Sequence, residues 1–277
     1  MATTVSELQI NLDVAIDILT RFLVNEVRKA GFERGVIGLS GGIDSSVSAF
    51  LAARALGPDN VLGVLMPYKT SSPASVADAR TVVEQLGIHS REIPITPMAD
   101  AYFAMQGEMS NLRRGNVMAR LRMIVLYDQS EVFHGLVIGT SNKTELLLGY
   151  GTLYGDTASA INPLGDLYKT QVRQIAAALG VPEAIQRKAP SADLWINQTD
   201  ESELGFTYEQ VDRLLFYLVD ERYSIEDCVA LGFERSFVEQ VARRIQRTQF
   251  KRRMPVIAKV SQRTIDRDFR YPRDWGL

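Results

Sequence analysis

The chain has 277 residues, of which 46% are hydrophobic and 23% are charged, and these ordinary globular values provide ample material for a core. A formal net charge of −2 and a pI near 5.8 argue against a general nucleic-acid-binding protein, because such proteins are usually basic. The single cysteine excludes an intramolecular disulfide framework, and the lack of a secretory signal pattern or of an apolar run of roughly 18 residues predicts a soluble cytoplasmic protein without a membrane partner.

Helical patterns alternate with short apolar runs through the first half of the chain. Apolar spacing and cap residues predict helices over residues 6–30, 45–56, 71–87 and 115–132. Short apolar runs predict strands over residues 35–40, 60–68, 89–95 and 135–142. Strands separated by helices in this way indicate a parallel sheet with right-handed crossovers. We therefore expect an α/β fold, a Rossmann-like three-layer α/β/α sandwich with a mostly parallel sheet.

The second half of the chain has a looser pattern. A helix is predicted over residues 169–180, and the acidic, turn-rich residues 189–206 indicate a mobile surface loop. Helical patterns then resume, and a basic run at residues 251–253 precedes a tail that contains proline. We interpret the whole chain as one domain, with a core over about residues 31–190, the loop, and a helical C-terminal part over residues 207–277.

Two predicted strand ends are rich in small and polar residues: "LSGGIDSS" follows the first strand and "IGTSNKTE" follows the fourth. Ligands of parallel sheets bind at the carboxyl ends of the strands, so we expect the two segments to share a site. In the first segment, Ser40, Gly41 and Gly42 precede a helix N-terminus, where backbone N–H groups and the helix dipole suit an anion. Ser45 and Ser46 can add hydroxyl donors.

This loop differs from the two common phosphate-binding motifs, since it matches neither G-x-x-x-x-G-K-[ST] nor G-x-G-x-x-G and contains no lysine. It places a carboxylate, Asp44, where an anion is expected. A bare carboxylate within about 4 Å of a polyphosphate would repel it by several kcal/mol, whereas a bridging Mg²⁺ reverses the sign of that interaction. The pattern therefore favours a site for Mg²⁺ and pyrophosphate; the alternative is a strand–turn–helix corner with a capping Asp.

The string "SGGIDSS" resembles the pyrophosphate loop of the ATP pyrophosphatases, enzymes that adenylate a substrate and release pyrophosphate. The resemblance implies the adenine nucleotide alpha hydrolase-like form of the sandwich, ATP as co-substrate, and Asp44 as a magnesium ligand. It implies ATP-binding roles for Gly38, Leu39, Ser40, Gly41, Gly42, Ile43, Asp44, Ser45 and Ser46. The loop alone does not choose among the members, which include NAD, GMP and asparagine synthetases and tRNA-modifying enzymes.

Four later segments resemble the ammonia-dependent NAD synthetases in the same order. "NVMARLRM" is similar to the family's helix that meets deamido-NAD, which implies a substrate-binding role for Arg120. "GTSNKTELLLGYGTLYGD" implies an ATP contact at Thr140 and a second magnesium ligand at Glu145. "INPLGDLYKTQVR" implies that Lys169 meets the ATP phosphates, and "APSADLWINQTDESELGFTYEQVD" implies that Ser191 lies near ATP. The resemblance extends over nearly the whole chain.

The basic run near residue 251 implies one more substrate contact. In the family, this segment reaches the deamido-NAD phosphates of a neighbouring subunit, which implies substrate binding by Lys251. Many members have His-Lys there, whereas this chain has Phe250, so the contact of that histidine is not carried over. Two other substrate contacts are not carried over, because Leu153 and Ala160 stand where some members have Lys and Asp.

The family resemblance implies a two-step amide synthesis. The nicotinate carboxylate of deamido-NAD attacks the α-phosphorus of ATP, and ammonia then attacks the resulting acyl-adenylate to give NAD and AMP. Relatives that use glutamine have an N-terminal glutaminase domain, for which we find no room before the ATP loop. We therefore expect the chain to use ammonia, either free or from a separate protein, and to form a homodimer as the family does.

Other interpretations stay open. Another ATP pyrophosphatase, GMP-synthetase-like or tRNA-modifying, should show a basic RNA-binding surface, a CxxC sulfur site or a dimerisation tail, and the sequence shows none of these. A non-catalytic ATP-binding module has no need of two metal carboxylates and a lysine. Single residues also have simpler alternatives: a solvated charge for Arg120, a helix cap for Glu145 and a surface lysine for Lys169.

Overall fold

A parallel β-sheet lies at the centre of the fold. The computed structural model describes residues 7–191, 195 and 200–265, and its strands are β1 (Arg34–Gly38), β2 (Val61–Leu65), β3 (His89–Glu92) and β4 (Gly135–Val137). Their order across the sheet is β3-β2-β1-β4, and every neighbouring pair is parallel. The predicted strands are confirmed, and each ends earlier than its apolar run because the last residues enter the following loop.

The helices account for most of the remaining described residues. They are α1 (Leu12–Lys29), α2 (Ile43–Leu56), α3 (Pro73–Leu86), α4 (Thr96–Ala104), α5 (Asn111–Phe133), α6 (Lys143–Leu148), α7 (Lys169–Leu179), α8 (Glu183–Arg187), α9 (Asp200–Leu204), α10 (Tyr208–Leu215), α11 (Ile225–Ala230) and α12 (Arg235–Arg247). A π-helical turn spans Phe216–Asp220, and a 3-10 turn spans Gln249–Arg252. Of the helices in the described ranges, none has the length and apolar character needed to cross a membrane.

Both faces of the sheet are covered by helices. Successive residues of a strand point to opposite faces, and in β1 the fully buried Val36 and Ile37 accordingly belong to different apolar clusters. The cluster of Ile37 includes residues of α1, α2, α3 and α7, whereas that of Val36 includes residues of α4 and α5. This arrangement confirms the predicted three-layer α/β/α sandwich.

A third apolar cluster joins the helical C-terminal part to α6. Buried Leu148 of α6 packs in one cluster with residues of α9, α10, α11 and α12, among them Val211 and Val238. The expected loop over residues 189–206 therefore ends in a helix, α9. Its residues 192–194 and 196–199 lie outside the described residues, and its mobility stays a prediction, as does the single-domain interpretation.

The crevice that positions the site opens at the carboxyl ends of β1 and β4. Strand β1 continues into the glycine loop and α2, and β4 continues through a parallel bridge between Ile138 and Ile161 toward α6. Strands β2 and β3 lie beyond one edge of β1, whereas β4 pairs with the other edge of β1. Ligands of doubly wound sheets bind where the strand order reverses in this way.

Candidate functional site

The glycine loop turns sharply between β1 and α2. Gly41 has a φ of +74°, in the left-handed region that favours glycine. A Cβ at this position would lie 2.0 Å from the carbonyl oxygen of Ser75 in α3, so a side chain is also excluded by lack of space. Gly42 is the N-cap of α2 and has no side chain to occupy the first N–H groups of the helix, which leaves them available to an anion.

The loop serines hold the turn in shape. The hydroxyls of Ser45 and Ser46 donate to the carbonyl oxygen of Gly42 at 3.1 and 2.8 Å. The hydroxyl of Ser40 lies 3.1 Å from that of Ser45 and accepts from the N–H of Gly42 at 3.3 Å. In this conformation the hydroxyls therefore serve the backbone of the loop, and their contact with an anion stays a prediction.

Asp44 lies in the first turn of α2, and its two carboxylate oxygens have different partners. Oδ1 accepts a hydrogen bond from Nδ2 of Asn142 at 2.9 Å. Oδ2 forms an ion pair with Nζ of Lys169, the first residue of α7. The two partners come from positions 98 and 125 residues further along the chain, so the fold brings two distant segments to the loop.

Glu145 meets the same lysine from α6. Its Oε1 lies 3.3 Å from Nζ of Lys169. Its backbone N–H donates to Oδ1 of Asn142 at 2.9 Å, and its Oε2 accepts from the N–H of Asn142 at 3.3 Å, which forms a capping box. The amide of Asn142 thus caps α6 with its oxygen and holds Asp44 with its nitrogen. Glu145 is both a helix cap and a partner of Lys169.

The charged groups of this cluster lie close together, and the lysine among them is buried. The pKa of Glu145 is raised to about 8, first by burial and then by the nearby Asp44 carboxylate, while the charge of Lys169 opposes both effects. Burial lowers the pKa of Lys169, but the carboxylates of Asp44 and Glu145 outweigh burial and raise it. The Lys169 side chain is only 3% exposed, so its charge depends on these two partners.

A third carboxylate belongs to the same electrostatic group. Asp200 of α9 is 4% exposed and accepts from the phenols of Tyr150 and Tyr208, each at 3.0 Å. Burial raises the pKa of Asp200, and the charge of Lys169 opposes that effect. The Nζ of Lys169 also lies 5.1 Å from the ring centroid of Tyr208, within cation–π range. The cluster therefore contains more carboxylates than cations.

The other predicted site residues lie around this cluster. Arg120 is exposed on α5, and its Nε donates to the carbonyl of Leu153 at 3.3 Å. The Nζ of Lys251 donates to the carbonyls of Gly149 and Gly151 at 2.8 and 2.7 Å. Both cations thus contact residues 149–153, which follow α6, rather than Asp44 or Glu145. Residue Thr140 is half-buried just beyond β4.

A small open pocket is lined by residues of both the cluster and the basic run. Its lining includes Glu145 and Ser141 as well as Tyr150, Thr157 and Lys251. Glu145 and Lys251 therefore face the same pocket. Ser191, the last residue described before a gap in the described ranges, is exposed.

Comparison with known proteins identifies the family of the chain. The sequence model described as NAD synthase matches residues 15–255. The chain belongs to the NAD synthase family. This assignment confirms the resemblance that the glycine loop and the four later segments predicted, and it makes the chain a ligase that forms a C–N bond, with ATP as a substrate.

Individual proteins of known name match nearly the full length of the chain. An NH3-dependent NAD(+) synthetase of Trichlorobacter lovleyi is 58% identical over 271 residues, which cover 98% of this chain and 99% of that one. The structure of an NH3-dependent NAD synthetase from Campylobacter jejuni is similar with a TM-score of 0.77 and 34% identity, over 90% and 100% of the two chains. The structure of an NMN synthetase from Francisella tularensis gives a TM-score of 0.80 and 33% identity, over 90% and 99%.

Sequence reasoning missed several residues of this NAD synthase site. Asn142 was detectable, because Asn-x-x-Glu at residues 142–145 is a capping signature before an apolar run. Asp200 stands in the acidic run "TDESEL", where nothing distinguishes it from its neighbours. Tyr150 and Tyr208 carry no local signal, because a buried aromatic side chain usually belongs to a core.

The residues of the cluster fit the Mg²⁺ that the family resemblance implies. Asp44 and Glu145 offer hard carboxylate oxygens, which Mg²⁺ prefers, and both carboxylates lie beside the same cation, Lys169. Within the described ranges, no set of three or more Asp, Glu, His or Cys side chains is grouped to hold a metal ion on its own.

Proposed function

We propose that the chain amidates deamido-NAD with ammonia, with ATP as the second substrate, and produces NAD, AMP and pyrophosphate. The relatives of highest identity given above are named for NAD synthesis with NH3. The observation that carries the assignment of roles is the contact of the buried Lys169 with Asp44 and Glu145 beside the glycine loop. A positive group between two carboxylates at an anion-binding loop suits a metal–pyrophosphate leaving group.

In the first step, a nicotinate carboxylate oxygen forms a bond to the α-phosphorus of ATP. The bond from that phosphorus to the bridging oxygen breaks, and pyrophosphate leaves with the electron pair. The N–H group of Gly41 and the N-terminus of α2 bind the leaving group, and Lys169 supplies a fixed positive charge as negative charge develops. Residues Thr140 and Ser191 bind the rest of ATP.

We assign the metal-binding role to Asp44 and Glu145. When bound, Mg²⁺ screens the phosphate oxygens and stabilises the leaving pyrophosphate. Asn142 supports both carboxylates, because its amide contacts Asp44 and caps the helix that carries Glu145. This double contact keeps the two oxygen ligands in a fixed relation.

In the second step, the nitrogen of ammonia forms a bond to the activated carbonyl carbon, AMP leaves, and a proton of the nitrogen is released. No enzyme nucleophile takes part. Arg120 and Lys251 orient deamido-NAD, which is where binding contributes most to such a reaction. Both residues contact residues 149–153, so this segment forms the floor of the proposed substrate site.

We further propose that the chain acts as a cytoplasmic homodimer. Ile124 and Tyr127 are 55% and 42% exposed on α5, and helical spacing places them on the same face as Arg120. Exposed apolar residues beside a substrate-binding arginine suit an interface between two copies close to the substrate site. One buried cysteine is compatible with a reducing compartment.

The direct test is a product assay. Purified chain is mixed with ATP, Mg²⁺, deamido-NAD and ammonium, and we expect NAD, AMP and pyrophosphate in equal amounts. Parallel reactions replace ammonium by glutamine, or deamido-NAD by nicotinic acid mononucleotide, since one similar structure is that of an NMN synthetase. ADP as the product, or faster turnover of the mononucleotide, would refute the assignment. Asp44→Ala should abolish the reaction and leave the fold intact.

A further inference from the structure

A buried carboxylate that the reaction does not use lies behind the site. Asp212 of α10 is fully buried. Its Oδ1 accepts from the hydroxyl of Thr144 at 2.5 Å, and its Oδ2 accepts from the backbone N–H of Thr170 at 2.8 Å. A buried carboxylate is costly unless both oxygens are hydrogen-bonded, and here the donors come from two different helices, α6 and α7.

The hydroxyl of Thr144 extends this connection. Its oxygen also accepts from the backbone N–H of Lys169 at 3.0 Å. The N–H groups of Lys169 and Thr170 are in the first turn of α7, where an α-helix has no internal partner for them. The phenol of the N-cap residue, Tyr168, donates to Asp220 at 3.0 Å instead of capping the helix. Thr144 and Asp212 therefore cap α7 from outside it.

The capped helix ends are the ones that carry the functional side chains. Thr144 precedes Glu145 on α6, and Thr170 follows Lys169 on α7. A cation in the first turn of a helix is unfavourable, and the Asp212 carboxylate near the same N-terminus offsets that effect. Asp212 thus bonds to both of the helices whose side chains Glu145 and Lys169 meet at 3.3 Å.

We propose that Asp212 is a positioning residue for the activation of ATP. Through Thr144 and Thr170, Asp212 holds Lys169 against Glu145. The proposal rests on the function proposed above. It assigns to the C-terminal helices a role in setting the geometry of the site. Displacement of a reacting group by about 1 Å is enough to lower a rate by about 100-fold.

The test compares variants that change the connection at different points. Thr144→Val keeps the volume of the side chain and removes its hydroxyl, so kcat should fall about 10- to 100-fold while KM for deamido-NAD changes little. Thr144→Ser restores the hydroxyl and should recover most of the loss. Asp212→Asn keeps one acceptor and should fall between them. Because Thr144, Asp212 and the start of α7 act as a unit, the double variant Thr144→Val/Asp212→Asn should lose no more kcat than the worse of its two single variants.

The control is Val238→Ala, a cavity variant in the same C-terminal apolar cluster, which should lower stability and leave kcat unchanged. ATP affinity, measured by calorimetry, provides a readout that needs no turnover, so failure of the proposed reaction in the wild type is separable from failure of this inference. Folded Thr144→Val and Asp212→Asn proteins with kcat within about threefold of wild type and unchanged ATP affinity would overturn the proposal. The proposal would also be overturned if Val238→Ala, at the same stability as these variants, lost as much kcat as they do.

Discussion

Replacement of Gly41 by alanine should damage the ATP loop through two separate effects. At a φ of +74°, any residue with a Cβ is strained by about 1–2 kcal/mol. The new Cβ would also lie 2.0 Å from the carbonyl oxygen of Ser75, whereas an ordinary contact begins at 3.4 Å. The loop and the first turn of α3 must therefore separate by about 1.4 Å.

The size of the effect follows from what must move. The opposing atom is backbone, and α3 is held in the core by Ala79 and Val82, so the clash cannot be relieved by a side-chain rotation. Such overpacking costs about 1–3 kcal/mol, which with the backbone strain gives about 2–5 kcal/mol. For a chain of this size the midpoint of thermal unfolding should fall by at least about 4 °C. Affinity for ATP should fall at least about tenfold, because the displaced loop loses its alignment with α2.

Gly42→Ala is the matched control in the same loop. Its Cβ would lie 3.3 Å from the hydroxyl oxygen of Ser40, and the φ of −94° carries no strain. We expect it to change the free energy of unfolding by less than about 1 kcal/mol. Thermal unfolding and calorimetric titration with ATP are measured for both variants. Equal midpoints and equal ATP affinities for the two alanine variants would refute the reasoning about the turn.

Three more predictions concern stability and assembly. Arg252→Ala should lower the free energy of unfolding by about 1–3 kcal/mol, because the guanidinium donates to carbonyls of α6 and α12 at 2.8–3.0 Å. Urea unfolding measures this loss, and the control variant Arg253→Ala, which changes an exposed neighbour, should lose less. Burial raises the pKa of Asp212 to about 6, so the folded state keeps this proton to a higher pH than the unfolded chain does. The free energy of unfolding of Asp212→Asn should therefore rise by up to about 3 kcal/mol relative to that of the wild type between pH 4 and pH 7.5. Curves of unfolding free energy against pH that run parallel for the two proteins would contradict this. Ile124→Lys should shift a homodimer toward monomer in light scattering, whereas an unchanged mass would place the interface elsewhere.

The sequence was sufficient for the elements that local patterns encode. The run of buried residues in β1, the glycine turn and α2 were predictable, because apolar periodicity and turn residues act over a few positions. The meeting of Asp44, Glu145 and Lys169 followed from strand-end geometry and the family resemblance. The helix α4 was missed, since its nine residues are held by packing, as in the edge-to-face contact of Phe103 with Tyr68.

The supports of the site could not be predicted from the sequence. Asp212 lies in "YEQVDRLL", where a charged residue on an amphipathic helix is expected to face water. Only the packing of α10 against α6 and α7 turns this carboxylate inward, and its partner Thr144 is 68 residues away. The contacts of Lys251 with the carbonyls of Gly149 and Gly151 likewise join positions about 100 residues apart, which no local pattern records.

The contacts of the site join residues that the ribosome synthesises at different times. Asp44 is synthesised early, its partner Lys169 follows 125 residues later, and Arg252, which secures α6, comes later still. At typical translation rates, roughly 10–40 s separate the first of these residues from the last. Until Lys169 is synthesised, the nascent chain contains a complete glycine loop without the cation that pairs with Asp44, and until Arg252 is synthesised α6 lacks the guanidinium that secures it. A partly synthesised chain should therefore be unable to adenylate anything, and activity should arise only when the final helices dock.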